Sequence, residues 1–184
     1  MQTRKNNVNN KKYKTFYHRF YPTYAFEKVE DIPFSIFTNN HIKVIMFDMD
    51  NTLIDYSSRK YSKELKAWVK ELKRKDVKVY ILSNSLSYKT VSRVAKELGM
   101  QYTYNAKKPF LKGFEDIKNK EKISKNEMIM IGDQMFTDIW GGNRFGIKTI
   151  LVSPIERKER IHTRFKRPLE RFVMRKYLKL KEEK

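Results

Sequence analysis

Five short apolar runs lie between Lys43 and Val152, each separated from the next by a segment of helical periodicity, and this alternation admits very few folds. The runs are Lys43–Phe47, Val77–Leu82, Gln101–Asn105, Glu127–Ile131 and Lys148–Val152, the third weaker than the rest. They read as strands buried on both faces. Between them, Leu65, Trp68, Val69 and Leu72 recur at helical spacing within Ser62–Lys75, and Val91–Leu98 reads as a helix stopped by Gly99. Leu111–Lys120 is a third helix, and a short one starts near Phe136. Strand–helix–strand crossovers impose a parallel sheet, so the expected fold is α/β, a three-layer sandwich. Ligands of such sheets bind outside the carboxyl ends of the strands.

Those carboxyl ends carry the reactive side chains. The first run ends in Asp48-Met49-Asp50-Asn51-Thr52-Leu53, the second in Ser83-Asn84, and the third is followed by Lys107-Lys108-Pro109. The fourth ends in Gly132-Asp133, with Asp138 one turn later. Each motif alone has an ordinary explanation: a solvated loop, a helix cap, a basic surface, a turn. Their succession at four strand ends does not. Carboxylates this close repel unless protons or a divalent cation join them. An all-oxygen ligand set suits Mg²⁺, which keeps several waters and bridges to phosphate. A Ser hydroxyl, backbone amides and a Lys are donors matched to phosphate oxygens. The residues alone therefore suggest Mg²⁺-dependent phosphoryl chemistry.

Charge narrows the partners. The chain of 184 residues carries 41 Lys+Arg against 21 Asp+Glu, a formal net charge of +20. Such a balance favours an anionic partner: a phosphorylated substrate, an anionic membrane surface or, less favoured, nucleic acid. Residues 1–20 hold six basic residues and no acid, and 156–184 hold twelve basic and five acidic ones. The absence of Cys excludes disulfides, thiolate zinc sites and Cys nucleophiles, and three scattered His (His18, His41, His162) do not make a metal site. No apolar run approaches the roughly 18 residues of a spanning helix, and no signal-peptide pattern follows the basic start. The expectation is a cytoplasmic protein, soluble or peripheral on the inner face of the membrane.

Phe47-Asp48-Met49-Asp50-Asn51-Thr52-Leu53 resembles the DxDxT signature of the haloacid dehalogenase superfamily, with its fixed residues in place. Ser83, Lys108 before Pro109, and Gly132-Asp133 with Asp138 follow in the superfamily's order. The stretch from about Phe20 to Ile155, above all Gly132–Arg144, further resembles the YqeG-type subclass IIIA phosphatases, which include phosphatases similar to phosphatidylglycerophosphatases. The resemblance implies a Rossmann-like fold without a cap domain, since neither the gap from Asp50 to Ser83 nor that from Ser83 to Lys108 has room for one. It implies a Mg²⁺-dependent phosphomonoesterase with Asp48 as nucleophile and Asp50 as general acid and base. Ser83 and Asn84 would contact the phosphate, as would Lys108, with Lys107 the alternative lysine. Asp48, Asp50 (through its backbone carbonyl) and Asp133 would hold the metal, with Asp138 a ligand or a support. The implied substrate is an anionic lipid, phosphatidylglycerophosphate; a small soluble phosphoester or a nucleic-acid terminal phosphate is the alternative.

Three segments follow. Residues 1–20 read as a basic flexible tail, 21–155 as the phosphatase domain, and 156–184 as a basic amphipathic helical segment. In the last, Leu169, Phe172, Val173, Tyr177 and Leu180 fall on one side and Arg171, Arg175, Lys179 and Lys181 largely on others. Such a helix could pack on the sheet, lie on an anionic membrane or contact nucleic acid.

Overall fold

A computed structural model of the chain describes residues 16–155 and 175–177. Six strands, β1 (Tyr24–Phe26), β2 (Val44–Phe47), β3 (Lys78–Leu82), β4 (Gln101–Thr103), β5 (Met128–Gly132) and β6 (Lys148–Val152), form one sheet in the order β1-β6-β5-β2-β3-β4. Every pairing is parallel. Each of the five runs read as strands forms one, and α/β is the fold class.

Alternation along the central strands divides the core in two. Ile45 and Phe47 of β2, Val79 and Ile81 of β3, and Ile129 and Ile131 of β5 point into one apolar cluster. Their neighbours Val44, Met46, Tyr80, Leu82, Met128 and Met130 point into another. Successive side chains of a strand face opposite ways, so a strand covered on both faces must be apolar throughout. Helices α2 (Lys63–Lys73) and α3 (Tyr88–Leu98) cover the first face with Leu65, Trp68, Val69, Leu72, Val91, Val94, Ala95 and Leu98. Helices α4 (Lys112–Glu121) and α5 (Trp140–Phe145) cover the second with Phe114, Ile117 and Phe145. Ser62 caps α2 by accepting from Leu65 N at 2.9 Å, and Ser87 caps α3 one turn earlier than the apolar spacing suggests. Gly99 ends α3 with φ at 63°, a left-handed turn that favours glycine.

Two elements have no counterpart in the sequence reading. Strand β1 extends the sheet beyond β6, and a short helix, α1 (Ser35–Asn39), buries Phe37 beneath Trp68. Phe16–Phe20, assigned from sequence to the basic tail, form a 3-10 turn. Phe20 is buried with Met135 and lies edge-on to Phe136, so residues 16–20 pack on the same body as the sheet.

Residues 156–174 and 178–184, which contain most of the amphipathic pattern, lie outside the described residues. Arg175–Tyr177 are helical, and Tyr177, a member of the apolar stripe, is buried with its ring 5.6 Å from that of Tyr21. At that position the stripe faces protein.

Sheet order reverses at β2: β3 and β4 follow on one side, β5 and β6 on the other. A crevice opens beyond the carboxyl ends at such a switch point. The connections from Asp50 to Ser83 and from Ser83 to Lys108 hold little besides α2, β3, α3 and β4, so no inserted domain stands over the crevice among the described residues.

Candidate active site

Asp48 follows the last residue of β2, where its amide donates to Ile131 O of β5 at 2.9 Å. Ile131 pairs with Phe47 in register, so the loops leaving β2 and β5 start side by side. Lys108 Nζ reaches in from the loop after β4 and bonds Asp48 Oδ1 at 2.7 Å and Asp138 Oδ1 at 2.8 Å. Its ammonium is fully buried. Lys107, by contrast, is exposed with φ at 54°, so of the two it is Lys108 that meets the carboxylates. Burial pulls the Lys108 pKa down, but Asp138 and Asp48 outweigh it and hold the pKa above the ordinary lysine value.

Asp48, Asp133 and Asp138 each place a carboxylate oxygen within 4.8 Å of the others. Asp48 Oδ2 is buried with no hydrogen-bond partner among the described residues. An ionised oxygen held dry and unbonded is costly, and a ligand at that point removes the cost. Three carboxylates against one ammonium leave an excess of negative charge, which a divalent cation offsets. The cluster fits a divalent metal site.

Asp138 is the most constrained of the three. Its Oδ2 accepts from Gln134 N at 3.0 Å within a π-helical turn (Met135–Ile139), and its Oδ1 takes the Lys108 bond. It sits so tightly over Gly132 that a Cβ there would stand 2.2 Å from Oδ2, so only glycine leaves room for it. With both oxygens engaged, Asp138 braces Lys108 as much as it offers a ligand. Asp133 accepts from Thr52 Oγ1 at 3.1 Å, a role for the signature threonine that sequence reading did not assign.

Asp50 lies apart from the trio. Its Oδ1 pairs with Arg59 Nη1 at 2.6 Å, and the guanidinium rests 4.2 Å from the centre of the Tyr56 ring. Its carboxylate is therefore not a member of the metal-fitting cluster, and any part it has there falls to its backbone. Arg59 went unnoticed in the sequence because it stands in a loop with no motif around it. Ser83 is buried, and its Oγ accepts from Ser85 N at 3.0 Å, leaving its hydroxyl proton free to donate. Asn84 is engaged differently from expectation: its Nδ2 donates to Lys108 O at 2.9 Å and its Oδ1 accepts from Lys108 N at 2.7 Å. It clamps the loop that delivers Lys108. Asp48, Asp50, Ser83 and Arg59 line one open cleft of about 400 Å³.

A family model described as mitochondrial PGP phosphatase matches residues 6–156. The chain belongs to that family. It is 36% identical over 134 residues to the probable phosphatase YqeG of Bacillus subtilis (strain 168), covering 73% of this chain and 77% of that one. It is 28% identical over 167 residues to phosphatidylglycerophosphate phosphatase 1, chloroplastic/mitochondrial, of Arabidopsis thaliana, covering 86% of this chain and 48% of the plant protein. Among solved structures, an uncharacterized protein from Listeria monocytogenes serotype 4b matches with a TM-score of 0.51 at 23% identity, over 65% of this chain and 86% of that one. A predicted HAD-like family hydrolase from Porphyromonas gingivalis matches with a TM-score of 0.50 at 14% identity, over 69% and 98%. The resemblance to YqeG-type phosphatases thus holds, and the enzyme is a phosphatase.

The charge cluster predicts an inverted pH dependence of stability for the metal-free phosphatase. Burial, then Asp48 and Asp138, push the Asp133 carboxyl well above the usual range. Burial also raises Asp138, to about 6, against the opposing pull of Lys108. A carboxyl whose folded pKa exceeds its unfolded value, about 4, binds more protons when folded, so stability falls as pH rises through that interval. In chelator, the melting temperature is expected to drop between about pH 4.5 and pH 7, and saturating Mg²⁺ to flatten the slope. A metal-free protein that stabilises over that interval would show that the cluster is not strained.

Proposed function

We propose that the phosphatase removes the terminal phosphate of phosphatidylglycerophosphate at a membrane surface, using Mg²⁺ and an aspartyl-phosphate on Asp48. The observation that carries the mechanism is the dry, unbonded Asp48 Oδ2 at the floor of an open cleft, beside the buried Lys108 ammonium. Asp48 Oδ2 attacks phosphorus, the bond from phosphorus to the ester oxygen breaks, and Asp50 gives its proton to the departing alkoxide. Asp50 then takes a proton from water as that water attacks the acyl phosphate, which releases inorganic phosphate and frees Asp48. Ser83 Oγ donates to a phosphoryl oxygen, and Lys108, bonded to Asp48 Oδ1, offsets charge gathering at phosphorus. Asp48, Asp133 and Asp138 are the residues that would hold Mg²⁺, which when bound shields nucleophile and phosphate from mutual repulsion.

The lipid substrate draws support from the family, from the named activity of the Arabidopsis relative and from a cleft over which no inserted domain stands among the described residues. Arg59 adds a local argument. Arg59 Nη1 holds Asp50 Oδ1 at 2.6 Å, a contact that competes with proton transfer to the leaving group at that oxygen. A substrate with a second phosphate draws Arg59 off Asp50 and allows Asp50 to carry the proton the leaving group needs. Phosphatidylglycerophosphate has such a second phosphate. No helix among the described residues is long and apolar enough to cross a membrane, so on this reading the enzyme meets its lipid from the aqueous side.

The experiment is a release assay for inorganic phosphate on vesicles containing phosphatidylglycerophosphate, against glycerol 3-phosphate and a 5′-phosphorylated oligonucleotide. The lipid is expected to be preferred, and Arg59→Ala to narrow its advantage over the small monophosphate. Preference for the oligonucleotide would move the reading to nucleic-acid ends.

A further inference from the structure

Four of the large apolar side chains most exposed among the described residues stand on two adjoining segments beyond the carboxyl ends of β3 and β4: Leu86, Tyr88, Tyr104 and Phe110, at 77, 55, 44 and 68% exposure. Leu86 follows Ser83 and Tyr88 opens α3, while Tyr104 and Phe110 lie in the loop that delivers Lys108; Asn105 N donates to Ser85 O at 3.0 Å and Asn84 bonds the Lys108 backbone, which joins the two segments. Leu86 lines the cleft with Asp48, and Tyr88 lies 5.4 Å from Tyr104, ring to ring. Clustered exposure of this kind marks an interaction surface, whereas scattered apolar residues do not.

The charge on these segments identifies the partner. Residues 84–90 and 104–112 contain four Lys and no Asp or Glu. Lys108 is committed inside the site and Lys112 is paired with Asp116 at 3.1 Å, while Lys89 and Lys107 are exposed. Tyrosines with a polar tip, aliphatic and aromatic side chains able to enter acyl chains, and lysines able to meet lipid phosphates form the combination that an anionic bilayer interface rewards. We propose that Leu86, Tyr88, Tyr104 and Phe110, ringed by Lys89 and Lys107, are the face by which the phosphatase docks on an anionic bilayer. The inference rests on the lipid reading above and specifies its geometry: docking by this face turns the cleft mouth toward the headgroup layer, so that a lipid phosphate reaches Asp48 without leaving the bilayer.

The test uses the full chain carrying Phe110→Ser together with Lys89→Glu, two exposed positions outside the catalytic set. Binding to phosphatidylglycerol vesicles is expected to fall by about tenfold or more, and binding of the unaltered protein to phosphatidylcholine vesicles to be weak already. Hydrolysis of p-nitrophenyl phosphate should stay within about twofold, which also reports that the variant is folded. Unchanged vesicle binding by this variant overturns the docking surface, as does a wild type that ignores anionic vesicles. A wild type that binds vesicles through this face yet leaves phosphatidylglycerophosphate intact upholds the docking surface and overturns the substrate instead.

Discussion

Asp48→Asn is expected to leave a folded phosphatase whose turnover is lower by on the order of 10³-fold or more. The amide oxygen can still accept from Lys108, so the loop keeps its place, but the atom that would attack phosphorus is no longer a carboxylate oxygen. The substitution also takes a negative charge from beside Asp133 and Asp138, both of which Asp48 pushes upward in pKa. The variant should therefore melt no lower than the wild type in chelator, and its response to Mg²⁺ should shrink. Lost activity with retained stability is a combination that general misfolding does not produce. Asp50→Asn should be comparably damaging on alkyl phosphates and milder on aryl phosphates, whose leaving groups depart without a proton. Ordinary turnover by a folded Asp48→Asn protein would remove the nucleophile from the proposal.

Chelation is expected to have an effect of similar size. With Asp48 Oδ2 unbonded and three carboxylates within 4.8 Å, the metal-free cleft presents negative charge to an incoming phosphate dianion. Excess chelator should abolish turnover and Mg²⁺ should restore it. Binding to the folded state alone stabilises by mass action, about 2.7 kcal/mol at a hundred times the dissociation constant, so the melting temperature should climb with Mg²⁺. Ca²⁺ should raise the melting temperature too, yet support little turnover, because its larger and looser coordination sets phosphate and nucleophile at the wrong separation. Full activity in excess chelator would exclude the metal.

The architecture was legible because its central strands are buried on both faces, a condition that forces continuous apolar runs such as Val44–Phe47 and Met128–Gly132. Strand β1 and helix α1 escaped because they are three and five residues long, too short for a period to show. In the site, Asp48, Asp133 and Asp138 could be grouped beforehand, since each stands at the end of a strand or one turn past it. The lysine register could not: Lys107 and Lys108 are chemically equal in sequence, and only the path of the loop, clamped by Asn84, sends one inward and the other to solvent. Asn84's hold on the Lys108 loop and the whole of Arg59 went unread for the same reason. Their partners are a loop backbone and a carboxylate nine positions away, and such pairings leave no periodic trace.

Asp48 and Asp133 stand where β2 and β5 end, two strands sealed in the core and bonded to each other, while Leu86, Tyr104 and Phe110 on loops and Tyr88 at the start of α3 face water. The two groups differ in how they tolerate drift. A change beneath the carboxylates disturbs close packing, as a methyl group at Gly132 would, and so tends to act all at once. A change among the exposed four costs almost nothing in stability and alters only what is presented to the cleft. Descendants of such a chain can therefore explore new phosphorylated molecules one loop residue at a time, with the bond-breaking apparatus passed on untouched.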